Sequence, residues 1–102
     1  ITGVQADSYC RSILAKYELD KHFTHASGHG IGLEIHESPS LSNKSKHSDK
    51  SITLKKDMIV TVEPGVYIEG KFGIRIEDMI VVKNKTNLNL TNFPKKLLYW
   101  SN

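Results

Sequence analysis

The chain has 102 residues, 38% of them hydrophobic, with a formal charge of +3 and a pI near 9.0, which suffices for one compact domain or part of a larger one. A single cysteine, Cys10, excludes an internal disulfide framework and fits a reducing, cytoplasmic compartment, and no apolar run approaches the roughly 20 residues that span a bilayer. The positive excess is lysine spread through polar segments, with Arg11 and Arg75 the only arginines and no basic stripe carrying stacking aromatics, so neither nucleic acid nor membrane is an expected partner.

Residues 4–19 place Tyr9, Ile13, Leu14 and Tyr17 at three- and four-residue spacing, which predicts a helix packing that apolar stripe on a sheet. Residues 20–24 turn out of it. The densest chemistry follows in residues 23–39, FTHASGHGIGLEIHESP, where His25, His29 and His36 are interleaved with Gly28, Gly30 and Gly32. Glycine lets backbone approach another group closely, and histidine supplies a neutral metal ligand or a proton carrier. Residues 41–53 are polar, rich in serine and lysine, and contain His47; they predict a surface loop.

Residues 58–68 alternate as a strand, with Met58, Val60 and Val62 on one side and Ile59, Thr61 and Glu63 on the other. Pro64-Gly65 predicts a bulge or strand end directly after the glutamate. A turn signal at 69–73 leads into a second strand at 74–82, with Arg75, Glu77, Met79 and Val81 on one face. The two strands should pair as a hairpin. The chain begins on Ile1 without methionine, as expected of a fragment of something longer.

Glu63 and Glu77 each interrupt a β-branched strand expected to be buried. An unpaired carboxylate in such a place costs several kcal/mol or takes up a proton. A divalent cation shared by both, or the guanidinium of Arg75, would compensate; solvated strand ends are the plainer alternative. With His29 the donor set becomes one imidazole and two carboxylates, which suits Mn²⁺, Fe²⁺, Co²⁺ or Zn²⁺ and argues against a thiolate site. Simpler motifs fail: Leu33 occupies the last glycine position of a GxGxxG pattern, and Ser40 stands where HExxH needs its second histidine.

The stretches HASGHGIGLEIHESP, VTVEPGVY and GIRIEDMIVV, in this order, resemble three successive motifs of the Xaa-Pro peptidases, the aminopeptidase P and prolidase branch of the pita-bread metallopeptidases. The resemblance extends over essentially the whole chain. It implies an α+β fold: the C-terminal half of a pita-bread domain, a mostly antiparallel curved sheet with an N-terminal helix, so that residues 1–102 form the C-terminal portion of a catalytic domain. It also implies two divalent metal ions bridged by carboxylates, manganese foremost, with Co²⁺, Zn²⁺ or Fe²⁺ as alternatives. Carried over by position, His29, Glu63 and Glu77 are the metal ligands. His36 and His25 work around the scissile carbonyl and in proton transfer, and Arg75 holds a carboxylate in place. The reaction implied is hydrolysis of the bond between an N-terminal residue and proline. The partners implied are a peptide with proline second, the rest of the parent chain, and a second copy in a homodimer.

Two further family ligands, both aspartates, have no counterpart among Asp7, Asp20, Asp49, Asp57 and Asp78. The fragment alone is therefore expected to bind metal weakly and to be inactive. Asp57 also stands where the family commonly has glycine before Met58. The alternatives are a catalytically silent peptide- or protein-binding module of the same fold, and a methionine aminopeptidase-like enzyme, which EPGVY followed by RIED resembles less.

Overall fold

A computed structural model of the chain describes residues 1–44 and 52–101. Helix α1, Gly3–Ala15, starts at a capping box: Thr2 Oγ1 accepts from Gln5 N–H and Gln5 Oε1 accepts from Thr2 N–H, satisfying two donors a helix start leaves open. It ends about a turn earlier than the apolar spacing predicts. Glu18 takes φ 57°, and Leu19 N–H returns to Leu14 O at 3.0 Å, closing the helix as a left-handed residue does.

The face of α1 that packs is not the expected one. Tyr9 and Tyr17 are both 71% exposed and Ile13 42%, whereas the buried residues of α1 are Gly3 and Asp7. Gly3 has no Cβ, and one added there would lie 2.1 Å from Ser40 O, so the helix seats its backbone against strand β2, Glu37–Leu41. Asp7, with no exposed surface, makes the seat polar. Of the expected stripe, Tyr9, Ile13 and Tyr17 face solvent, while Leu14 is half-buried.

After a 3-10 turn at Asp20–His22 come β1, Gly28–Gly30, and β2. The rest of the sheet-forming chain is β3 (Ile59–Val62), β4 (Gly65–Ile68), β5 (Phe72–Arg75), β6 (Asp78–Val81) and β7 (Leu88–Asn89). Strands β2-β1-β3-β6-β7 form one antiparallel sheet, and β4-β5 a second of two strands. Leu41, expected in the loop, instead ends β2, paired with Gly28 and 3% exposed. His47 and most of that loop lie outside the described residues.

The predicted hairpin forms, but each of its strands breaks in two. One register runs through both halves: Val62 faces Asp78 in the larger sheet and Gly65 faces Arg75 in the smaller. At the break Ile76 N–H donates to Pro64 O at 3.3 Å. Pro64 has no N–H to give the ladder, so regular pairing stops there. The same register puts Glu63 and Glu77 across from one another at the break.

The apolar core is small. Among the described residues Phe23, Leu41 and Val60 are its buried hydrophobic side chains, beside the buried polar Asp7, Ser27, Ser42 and Thr61. Asp7 ties these together: its Oδ1 accepts from Ser27 Oγ (2.7 Å) and Ser27 N–H (3.2 Å), its Oδ2 from Asn43 N–H (3.1 Å), and Arg11 Nε donates to it at 2.9 Å. Burial alone would raise the pKa of Asp7, but the hydrogen bonds from Arg11 and Ser27, the Arg11 charge and the Asn43 amide hold it below the ordinary 3.8.

Two outcomes follow from these contacts. Asp7→Asn should destabilise the fold by about 3 kcal/mol at neutral pH, the scale for breaking a buried ion pair. Because the folded pKa is the lower one, the contribution of Asp7 is complete above 3.8 and is lost as pH falls through the folded value. The gap in Tm between wild type and Asp7→Asn should therefore narrow with acidification, and a constant gap would refute the linkage. Glu18 and Asp57 are the described non-glycine residues at positive φ, 57° and 69°, a conformation glycine adopts without steric cost. Glu18→Gly should be neutral or stabilising by up to about 1 kcal/mol, since an L-residue is strained there, whereas Glu18→Val should lower Tm.

Candidate metal and proton-transfer site

The centre of the site is the meeting of β1 with β3. A Cβ on Gly28 would lie 1.9 Å from Thr61 O, so glycine is what allows the histidine strand to approach β3 so closely. His29 then extends its ring to Glu63, with Nε2 at 3.2 Å from Oε1. Its other nitrogen, Nδ1, lies 2.8 Å from Gly30 O. A carbonyl only accepts, so Nδ1 carries the proton and Nε2 is the atom turned toward the carboxylate. A neutral Nε2 and a carboxylate oxygen would set lone pair against lone pair, so a proton or a cation belongs between them.

Thr61 joins the two sides. Its Oγ1 accepts from His29 N–H at 3.0 Å and donates to Glu63 Oε1 at 3.1 Å. The shared face of Thr61 and Glu63 agrees with the period-2 alternation read from the sequence. The Glu63 side chain is 14% exposed and that of Glu77 40%. Arg75 stands between them, its Nε 4.0 Å from Glu63 Oε2 and 3.6 Å from Glu77 Oε2.

His36 and His25 differ in how they join. The His36 ring lies over that of His29, with centroids 4.3 Å apart. His25 pairs with a residue the sequence reading did not single out: its Nε2 is 2.7 Å from Tyr67 Oη, while its Nδ1 is held by Ala26 O at 2.8 Å. The Tyr67 hydroxyl therefore donates to Nε2. A Cβ on Gly65 would meet both Tyr67 Oη, at 2.3 Å, and His25 Nε2, at 2.9 Å. Thr61 and Tyr67 could have been found in the series Thr61, Glu63, Gly65, Tyr67, which occupies alternate positions through the break.

His29, Glu63, Arg75, Glu77 and His36 thus form one chain of contacts, and His25 with Tyr67 a second over Gly65. Among the described residues no three His, Cys, Asp or Glu side chains converge as a complete metal-binding group; His29 and Glu63 meet as a pair, and Glu77 is held on the far side of Arg75. The donors are imidazole nitrogen and carboxylate oxygen, one imidazole already fixed in the tautomer a ligand needs, which fits a divalent cation of the Mn²⁺ to Zn²⁺ series. Among the described residues no helix is long and apolar enough to cross a membrane.

Residues 1–84 match the metallopeptidase family M24. The chain is 44% identical over 98 residues to the uncharacterized peptidase YqhT of Bacillus subtilis, covering 96% of this chain and 26% of that protein. Its structure resembles that of an Xaa-Pro dipeptidase from Bacillus anthracis with a TM-score of 0.87 and 43% identity, over 96% of this chain and 26% of the other. An X-prolyl aminopeptidase from Caenorhabditis elegans, described as cytosolic with a di-nuclear active site, matches 79% of this chain and 13% of its own with a TM-score of 0.65 and 34% identity. The α+β, pita-bread fold expected from the motifs is the fold of these neighbours over the shared segment. The chain spans about a quarter of the length of the curated relatives it matches.

Thr61→Val, nearly isosteric, should leave the His29 N–H without its acceptor and cost about 1–3 kcal/mol, the range for an orphaned buried donor. Urea unfolding of the protein that contains this segment measures it. An unchanged midpoint would mean that Thr61 does not tie β1 to β3.

Proposed function

Because this chain belongs to metallopeptidase family M24, we propose that residues 1–102 are the C-terminal portion of a pita-bread catalytic domain whose parent hydrolyses the bond between an N-terminal residue and a following proline. The observation that carries this reading is His29 Nε2 set 3.2 Å from Glu63 Oε1 with Nδ1 anchored on Gly30 O. An imidazole held in one tautomer beside a carboxylate is the form a metal ligand takes.

In this reading His29, Glu63 and Glu77 would hold two divalent cations, manganese foremost, together with two aspartates from the rest of the parent chain. The chemistry such cations supply is Lewis acidity toward a carbonyl and toward water. The remaining work falls to protein groups. Arg75 stands between Glu63 and Glu77 and would hold both carboxylates in place as ligands. His36, exposed beside His29, is placed to meet the substrate carbonyl and proline. His25, with Nδ1–H fixed on Ala26 O, can pass a proton only through Nε2, where Tyr67 donates to it. General acid–base work of this kind contributes about 10²–10⁴-fold.

The segment by itself would bind metal weakly and be inactive. Three buried hydrophobic side chains among the described residues and an exposed β5, with Phe72 at 59% and Ile74 at 56%, support a partner surface supplied by the rest of the chain. A cytoplasmic homodimer completes the proposal.

The parent protein with Mn²⁺ should cleave an Xaa-Pro peptide, and Glu77→Ala should lower kcat/KM by more than about 100-fold, beyond what supporting residues around a metal usually cost. Cleavage of no peptide under any divalent metal would leave a silent binding module. Release of methionine from Met-Ala without Xaa-Pro cleavage would indicate a methionine aminopeptidase-like enzyme.

A further inference from the structure

One turn of α1 grips the backbone that carries the histidines. Arg11 Nη1 donates to Phe23 O at 2.9 Å and Nη2 to His25 O at 2.7 Å, while its guanidinium lies 4.4 Å over the Phe23 ring. Asp7, four residues earlier on the helix, orients that guanidinium through Nε (2.9 Å) and accepts from Ser27 N–H and Oγ–H and from Asn43 N–H. Four backbone groups, at Phe23, His25, Ser27 and Asn43, are thus held by two side chains. Neither side chain touches His29, Glu63 or Glu77.

The segment held this way is tied by backbone at its two ends, Phe23 N–H donating to Asp20 O at 3.1 Å, Ser27 N–H to Leu41 O at 2.9 Å and Glu63 N–H to Ser27 O at 2.7 Å, whereas the stretch between them is held at His25 O by Arg11. Residues 23–27 form no strand, and β1 is three residues long with its pairing to β2 irregular between His29 and Gly30. Yet both rings beyond it are set in one orientation, with Nδ1 of His25 on Ala26 O and Nδ1 of His29 on Gly30 O. Each of those bonds joins a histidine to the carbonyl of the next residue, so it forms only if the local backbone is fixed. The Arg11 contact to His25 O lies one peptide before the Ala26 carbonyl that fixes the ring.

We propose that Asp7 and Arg11 are positioning residues for the histidines, fixing the backbone of residues 23–27 so that Nε2 of His25 meets Tyr67 and Nε2 of His29 meets Glu63. Guanidinium is required because two diverging carbonyls and a carboxylate must be reached by one planar group. Lysine carries the charge but offers a point donor on a flexible stem. For its kinetic readout the proposal rests on the peptidase reading above; for its spectroscopic readout it does not.

The test is Arg11→Lys in the full-length parent, with selectively ¹⁵N-labelled histidine. Retained cooperative unfolding, kcat lowered about 10–100-fold with KM changed less than about twofold, and loss of the Nδ1–H signature at His25 would support the proposal. A lowered Tm with unchanged kcat and unchanged histidine ring signals would overturn it, leaving the pair as a helix anchor only. Should Arg11→Lys not fold, Asp7→Asn, which keeps an oxygen for Ser27, is read in the same two ways. If the parent cleaves no peptide, the peptidase reading fails, and the ring signals still decide the positioning role.

Discussion

Glu63 and Glu77 stand across from one another where the hairpin breaks, and two carboxylates so placed repel unless positive charge lies between them. The surrounding residues are arranged as if to answer that repulsion. Arg75 reaches both carboxylates from the middle, and His29 comes to Glu63 from the neighbouring strand. Pro64 ends the ladder at this point, opening the hairpin where charge has to be accommodated.

The histidine side of the site depends on small residues and on a polar seat instead of on bulk packing. Gly28 lets β1 lie against Thr61 O, and Gly3 lets α1 lie against Ser40 O. Between those two close approaches Asp7 and Arg11 hold the loop that leads into β1. A helix that packed by its apolar stripe could slide or rotate at small cost, because hydrophobic contact is non-directional. A carboxylate accepting from two backbone N–H groups and a guanidinium donating to two carbonyls do not permit that, and the rings of His25 and His29 inherit the resulting register.

How much of this could be read from residues alone varied with the kind of interaction. Alternation along residues 58–68 and 74–82 placed Thr61 with Glu63 and Arg75 with Glu77, because period-2 geometry is local and strict. Pro64 marked the break for an equally local reason. The packing face of α1 was misread: helical periodicity ranks faces by apolar content, and here a glycine and a buried aspartate outweigh two tyrosines. In the sequence Asp7 is no more than an aspartate outside any ligand motif. Its partners, Ser27 and Asn43, are 20 and 36 residues away, and nothing local announces such contacts. Tyr67 and Thr61 lie on a legible strand face, yet their bonds reach His25 in the loop before β1 and His29 on β1, segments whose placement beside that face the sequence does not state.

The central claim is that His29 and Glu63 are ligands of one cation. Crystals of the parent protein grown with Mn²⁺ and measured at the manganese absorption edge test it without reference to activity. The account predicts an anomalous peak within coordination distance of both His29 Nε2 and the Glu63 carboxylate. A manganese peak that touches neither, with His29 Nε2 still lying directly beside the Glu63 carboxylate, would contradict it.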